Sequence, residues 1–381
     1  MNVDTIIANA KAATGLSDIG DPAMLEGLEV LVKASNEEAA LSERGAPMWE
    51  ASLTNYLINR MKIVDYVKQH PELLDRPIEK PTFVFGLPRT GTTMTINLLS
   101  ADPARRCYLR WEALNSVPPA AAGALRSDPR YHEQCQQLEM AAKYMPHIAA
   151  IHWEDADSPS EDQYSMAQSF CAEIFDANVH IPSYRQWFFN TSYLPAFKFQ
   201  KQILQVLQEN NGGKWTLKNP WHPLYLNDLT TVFPDAELVM THRDPVEVVG
   251  SACSLIRAIR PIYSDKLDLR AIADQMMETF ELMIARQNAY RDQHGEDAIY
   301  DIHYSEQIKD PIGTMKRLYD HFGTPFTAEA EAGMRRMMEY NPQGKHGKHH
   351  YTLEEFGLTA QGVRKHYADY YDRFKIPQKL A

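Results

Sequence analysis

The sequence predicts an α/β fold built on a central, mostly parallel sheet. Short strand-like runs, "TFVFG", "WTLKN", "ELVMTH" and "AIYDIHY", recur from residue 81 onward. Segments with helical apolar spacing separate them, and that alternation is what parallel strands joined by helices leave in a sequence. The first of these strands runs straight into a glycine-rich turn and a further helical stretch, which marks a strand-loop-helix unit.

Each element follows from its local pattern. Within residues 21 to 73, "MLEGLEVLVKA" and "LTNYLINRMKIVDYV" carry apolar positions at helical spacing without long β-branched runs, so residues 1–78 read as a helical preface. Residues 79–325 read as the sheet-bearing core, interrupted between its first and second strands by a helical, aromatic-rich insertion at 128–210. Inside the core "PLYLNDLTTVF", "PVEVVGSACSLI" and "PIGTMKRLYDHFG" read as helices, and proline in the first turn suits a helix start. Residues 326–381 supply C-terminal helices, "TAEAEAGMRRMMEY" and "TAQGVRKHYADYYDRF", around a Gly-, His- and Lys-rich separator that reads as a closing loop. The expectation is a single domain over 1–381.

Composition narrows the function. The chain has 381 residues, 44% hydrophobic and 23% charged, which is the ordinary globular range. A net charge of -11 argues against nucleic-acid binding, which needs a basic face to displace counterions. Cys107, Cys135, Cys171 and Cys253 form no C-x-x-C pair, so neither a zinc site nor a disulfide framework is expected. The N-terminus lacks the pattern of a secretory signal, and no run reaches the roughly 18 apolar residues of a membrane span. A soluble protein of the reducing cytoplasm is expected, and nothing in the pattern sets an oligomeric state.

The chemistry concentrates in two motifs. In "FVFGLPRTGTTMTINLL" the spacing of Gly86 and Gly91 is that of a phosphate-binding loop, G-x-x-x-x-G-K-[ST]. Thr92 stands where the lysine belongs, and Arg89 lies within the loop. Backbone N–H groups at such a strand-to-helix turn bind phosphate, with Arg89, Thr90, Thr92 and Thr93 able to add donors around Gly91. The second motif is "ELVMTHRDPVEVVGSACSL", where Arg243 ends a strand and Ser251 follows eight residues later on a helix. Strand ends of an open parallel sheet are where ligands collect. An R-D-P turn alone is more often a helix cap; paired with the first loop it reads as a second phosphate subsite. Two subsites and no lysine for a γ-phosphate suggest a nucleotide with phosphates on both sides of its ribose.

On these residues the chain resembles the sulfotransferases that use 3'-phosphoadenosine 5'-phosphosulfate (PAPS), in particular their large bacterial branch. "GLPRTGTT" resembles the family's 5'-phosphosulfate loop and "THRDPVEVVGS" its 3'-phosphate motif. "WTLKNPWH", "FPDAELV" and "HHYTLEEFGL" resemble further family blocks, with Asn219 where serine is usual. The resemblance implies a P-loop-like three-layer fold, PAPS as donor, and a small-molecule hydroxyl, less readily an amine, as acceptor. It also implies that Arg89, Thr90, Gly91, Thr92, Thr93, Arg243 and Ser251 hold the nucleotide, with Lys345 or Lys348 of "GKHGK" over the 3'-phosphate.

Transfer of a sulfuryl group, like phosphoryl transfer, needs positioning, a base for the acceptor hydroxyl and a cation for the departing phosphate oxygen. By resemblance and position Lys218 is assigned the leaving oxygen, and His222 is assigned as the base or as a hydrogen-bond partner of the acceptor. Glu161 is the alternative base, from the crowded stretch His152, Glu154, Asp155, Glu161 and Asp162, whose acids otherwise read as a helix cap and first turn. No metal is expected. The aromatics of "IPSYRQWFFN" and Trp153 suit either an acceptor pocket or a core. Two rivals remain at this point: a P-loop kinase using ATP, against which Thr92 stands, and a non-catalytic nucleotide-binding protein.

Overall fold

The computed structural model describes residues 1–144, 154–340 and 351–378. Its centre is a five-stranded sheet in the order β2-β3-β1-β4-β5, formed by β1 (Thr82–Gly86), β2 (Arg105–Cys107), β3 (Lys214–Lys218), β4 (Glu237–His242) and β5 (Tyr300–His303). Every neighbouring pair is parallel. β1 is central, in register with β3 (Val84 opposite Lys218) and with β4 (Gly86 opposite Thr241). The chain therefore reverses its direction of winding at β1, so the carboxyl ends of β1, β3 and β4 surround one crevice.

Alternation along β1 makes three layers. Phe83 and Phe85 join the larger core, shared with the N-terminal and inserted helices, while Val84 joins a second core with Leu99, Val239, Ile302, Met315 and Met334. Burial on both faces explains why the central strands read as continuous apolar runs.

The four strands expected from the sequence are present, and β2 is an addition. Its sequence, Arg105-Arg106-Cys107, carries no strand pattern. Tertiary partners make it possible: Arg105 donates to the hydroxyls of Tyr319 (2.8 Å) and Thr216 (2.9 Å), and Arg106 forks onto Glu112 at 2.5 and 2.6 Å. These buried guanidiniums are satisfied by groups far away in sequence or brought close only by folding.

The preface holds helices Met24–Glu37 and Gly45–Gln69, preceded by a helix Val3–Thr14 that lies within residues 1–78 but outside the quoted stretches. Asn2 caps it by accepting from the Asp4 amide, and Gly15, at φ +70°, ends it. Arg60 fastens the preface to the insertion: it is 2% exposed, lies 4.0 Å from the Phe199 ring and donates to Ser169. The helix Leu269–His294 also falls outside the predicted elements. The C-terminal stretch expected as one helix is two, Ala360–His366 and Ala368–Phe374, broken at Tyr367.

Candidate active site

The loop after β1 is shaped by backbone conformations that side chains rarely adopt. Arg89 has φ +73° and Gly91 φ +104°. A Cβ on Gly91 would sit 2.7 Å from the Tyr304 ring, so only glycine fits there. The helix Thr92–Ser100 begins directly after this turn, and no side chain caps it. Its first amides are left for another partner, which is the usual ground of an anion site.

The two sequence motifs meet here because β1 and β4 are neighbours. Arg89 donates through Nε to Ser251 Oγ at 3.0 Å, and Arg243 donates through Nη1 to the Arg89 carbonyl at 3.1 Å. Arg243 also pairs with Glu247 and lies 4.5 Å over the Tyr304 ring. Burial, then the neighbouring Arg243, lowers the pKa of Arg89 below its ordinary value. Two guanidiniums thus converge on one turn at a cost that an anion between them would offset.

The threonines divide their duties. Thr90 is buried, with its hydroxyl 2.6 Å from both the Leu87 carbonyl and Thr241 Oγ1. It braces the loop against β4, with its hydroxyl engaged by these two protein partners. Thr92 is buried at the first helical position and Thr93 is exposed beside it.

At the end of β3 the structure brings Lys218 and Glu161 together, with Nζ and Oε1 3.0 Å apart. Lys218 is 1% exposed, while the Glu161 side chain keeps 15%. Burial pushes the Lys218 pKa down, but the carboxylates of Glu161 and Glu154 outweigh it and the net direction is up. The pair is also within electrostatic reach of Arg89, on which the Glu161 charge acts.

His222 lies deeper than Glu161. It is 0% exposed, bonded through Nε2 to Asp162 at 3.0 Å and enclosed by Phe83, Phe85, Phe197 and Tyr225. The physical reason is its position: the strand has ended, and the turn folds the imidazole back beneath the sheet into the larger core. The ring has no exposed surface, and its Nδ1 is buried without a hydrogen-bond partner among the described residues. What it does hold is Asp162, whose amide donates to the Lys218 carbonyl at 2.9 Å. The His222-Asp162 bond straps the segment that carries Glu161 across the end of β3. Asn219 is likewise internal, bonded to Tyr225 at 3.1 Å.

The aromatics of "IPSYRQWFFN" resolve as core. Tyr184 and Phe188 are buried and pack on Phe175 and Tyr193. A cavity of about 360 Å³ lies elsewhere, between the helices Gly45–Gln69 and Pro129–Tyr144, with Tyr56, Lys62, Trp111 and Gln134 in its wall. Lys345, Lys348, His152 and Trp153 lie outside the described residues.

Two contributors carry no clear sequence signal. Tyr304, the residue after β5, backs both Arg243 and Gly91. Tyr351 packs on Gly250 and donates to the Glu247 carbonyl at 3.0 Å, covering the helix that bears Ser251. Tyr304 stands at a strand end as Lys218 and Arg243 do, and that position was the available hint.

Comparison with known proteins identifies the family. The model of a family described as the Sulfotransferase family matches residues 81–328. A crystal structure of a sulfotransferase from Mycobacterium avium superposes with a TM-score of 0.94, at 34% identity over 100% of this chain and 98% of that one. One from Mycobacterium tuberculosis gives 0.88, at 31% identity over 97% and 99%. An omega-hydroxy-beta-dihydromenaquinone-9 sulfotransferase of Mycobacterium bovis is 26% identical over 162 residues, which span 42% of this chain and 40% of that protein's length.

Proposed function

The chain belongs to the sulfotransferase family, and we propose that it transfers a sulfuryl group from PAPS to the hydroxyl of a small-molecule acceptor. The observation that carries the donor assignment is the join of Arg89, Ser251 and Arg243 across β1 and β4. It sets an uncapped helix start and one guanidinium beside a second guanidinium and a serine. That donor set fits a nucleotide bearing separate 5' and 3' charges, while Thr92 removes the lysine a γ-phosphate would want. The omega-hydroxylated quinone named for the Mycobacterium bovis relative supports a hydroxyl as acceptor.

PAPS, when bound, supplies the activated sulfuryl group. The loop amides at Gly91 and Thr92, with Arg89 and Thr93, hold the 5' end; Arg243 and Ser251 hold the 3'-phosphate. Glu161, rather than His222, accepts the acceptor's proton: it lies beside Lys218 at the end of β3 and its side chain keeps 15% exposure, against none for His222. Lys218 supplies the cation for negative charge gathering on the departing phosphate oxygen. Its ion pair with Glu161 holds the two side chains together at the end of β3 before the acceptor enters. His222 and Asp162 act from behind, fixing the Glu161 segment to β3.

A calorimetric titration tests the donor assignment. Adenosine 3',5'-bisphosphate is expected to bind well ahead of magnesium-ATP, and Arg243→Ala to weaken it by roughly ten- to a hundredfold, as loss of a charge-assisted contact does. A preference for magnesium-ATP overturns the reading.

A further inference from the structure

The residues on either side of Arg243 are each held by a tyrosine of the C-terminal helix Ala368–Phe374. The Tyr370 hydroxyl lies 2.7 Å from His242 Nδ1, and the Tyr371 hydroxyl donates to Asp244 Oδ1. These are consecutive residues gripping the two flanks of one arginine. The grip is buried throughout: Tyr370 and His242 are 1% exposed, and Tyr371 and Asp244 5%.

Each flank is anchored further. His242 Nε2 is 2.7 Å from Asp301, which Arg291 holds at 2.5 Å, and Phe374 stacks on the His242 ring at a centroid distance of 4.5 Å. Asp244 also caps the helix that carries Ser251, accepting from the Val246 amide at 2.9 Å. Tyr370, Tyr371 and Phe374 lie at helical spacing, so one face of this short helix reaches both flanks of Arg243. Arg243 itself, by contrast, has a side chain 26% exposed and held by Glu247, the Arg89 carbonyl and the Tyr304 ring.

We propose that Tyr370 and Tyr371 are positioning residues for Arg243: the C-terminal helix sets the backbone at 242–244 so that the guanidinium meets the 3'-phosphate, and thereby sets discrimination between nucleotides with and without that group. The inference rests on Arg243 as the 3'-phosphate ligand. Freed from Asp244, the strand-to-helix turn gains room to move, and a misplacement of a fraction of an ångström weakens a charge-assisted contact without touching the 5' end of the site.

The test measures affinity for adenosine 3',5'-bisphosphate and for adenosine 5'-monophosphate by calorimetry. In Tyr371→Phe, which keeps the ring and its packing, the bisphosphate is expected to weaken about five- to tenfold and the monophosphate less than twofold. Tyr370→Phe reads the His242 flank in the same way. On an Arg243→Ala background, Tyr371→Phe is expected to have no further effect on the ratio, a coupling that a merely structural role does not produce. Equal loss for both nucleotides, or an undiminished tyrosine effect on the Arg243→Ala background, overturns the proposal. If Arg243→Ala alone leaves the ratio unchanged, the assignment of Arg243 fails and the proposal falls with it.

Discussion

Replacing Glu161 with glutamine separates chemistry from binding and stability in one variant. The glutamine keeps the shape and an oxygen acceptor for Lys218 Nζ, which lies 3.0 Å from Glu161 Oε1, but it removes the charge. A general base contributes roughly a hundred- to ten-thousandfold, so kcat is expected to fall by that factor while bisphosphate affinity stays within about threefold. Stability falls too, because Lys218 is 1% exposed and loses its counter-charge. The amide oxygen still accepts a hydrogen bond, so the expected cost is roughly 1 to 3 kcal/mol, below what a fully orphaned buried charge incurs. The pH dependence has a definite sign. The Lys218 pKa is raised above its ordinary 10.5, so its contribution is fully present below that value and is lost as pH climbs through the raised one. In Glu161→Gln burial acts against fewer carboxylates, and the loss moves to lower pH. Single-turnover transfer, calorimetry and urea melts between pH 8 and about 11 read the three effects. Turnover within threefold of the parent protein refutes Glu161 as base.

Other outcomes follow from the same geometry. His222→Gln, which can still bond Asp162, is expected to keep kcat within about tenfold while losing roughly 1 to 3 kcal/mol in a denaturant melt, since a buried imidazole acts through packing; a loss of a thousandfold or more in kcat would restore it as base. Gly91→Ala puts a methyl 2.7 Å from the Tyr304 ring at φ +104°, so calorimetry should find bisphosphate binding weakened at least tenfold, at a strain of about 1 to 3 kcal/mol. Burial raises the Asp176 pKa from 3.8 to about 6 despite Arg185 and Arg260. The folded state therefore binds the extra proton between those values, and stability falls as pH rises through that window, by roughly 3 kcal/mol in total. Asp176→Asn should flatten that part of a melt-versus-pH curve; an unchanged slope sinks the assignment.

Much of the fold was legible because it is local. "TFVFG" and "ELVMTH" are apolar runs bounded by turn residues, and "PVEVVGSACSLI" carries its own helix start; the structure has a strand or helix at each. The residues that escaped sequence reading depend on distant partners. β2 is two arginines made tolerable by Tyr319, Thr216 and Glu112. Thr90 looked like a ligand donor because hydroxyls in a glycine loop usually are, yet a neighbour 151 positions away in sequence captured it. His222 was assigned by resemblance and by its place after β3, and only the tertiary structure encloses its ring and pairs Nε2 with Asp162.

The sequence by itself determined the α/β class, the glycine loop without its lysine, and the arginine-to-serine spacing of the second motif, because backbone preference and side-chain periodicity act over a few residues. The tertiary structure decided which charged groups meet. Lys218 and Glu161 are 57 positions apart, Arg89 and Ser251 162, and Tyr371 and Asp244 127. Such contacts are set by strand order and layer packing, and a one-dimensional pattern carries no record of which strand lies beside which.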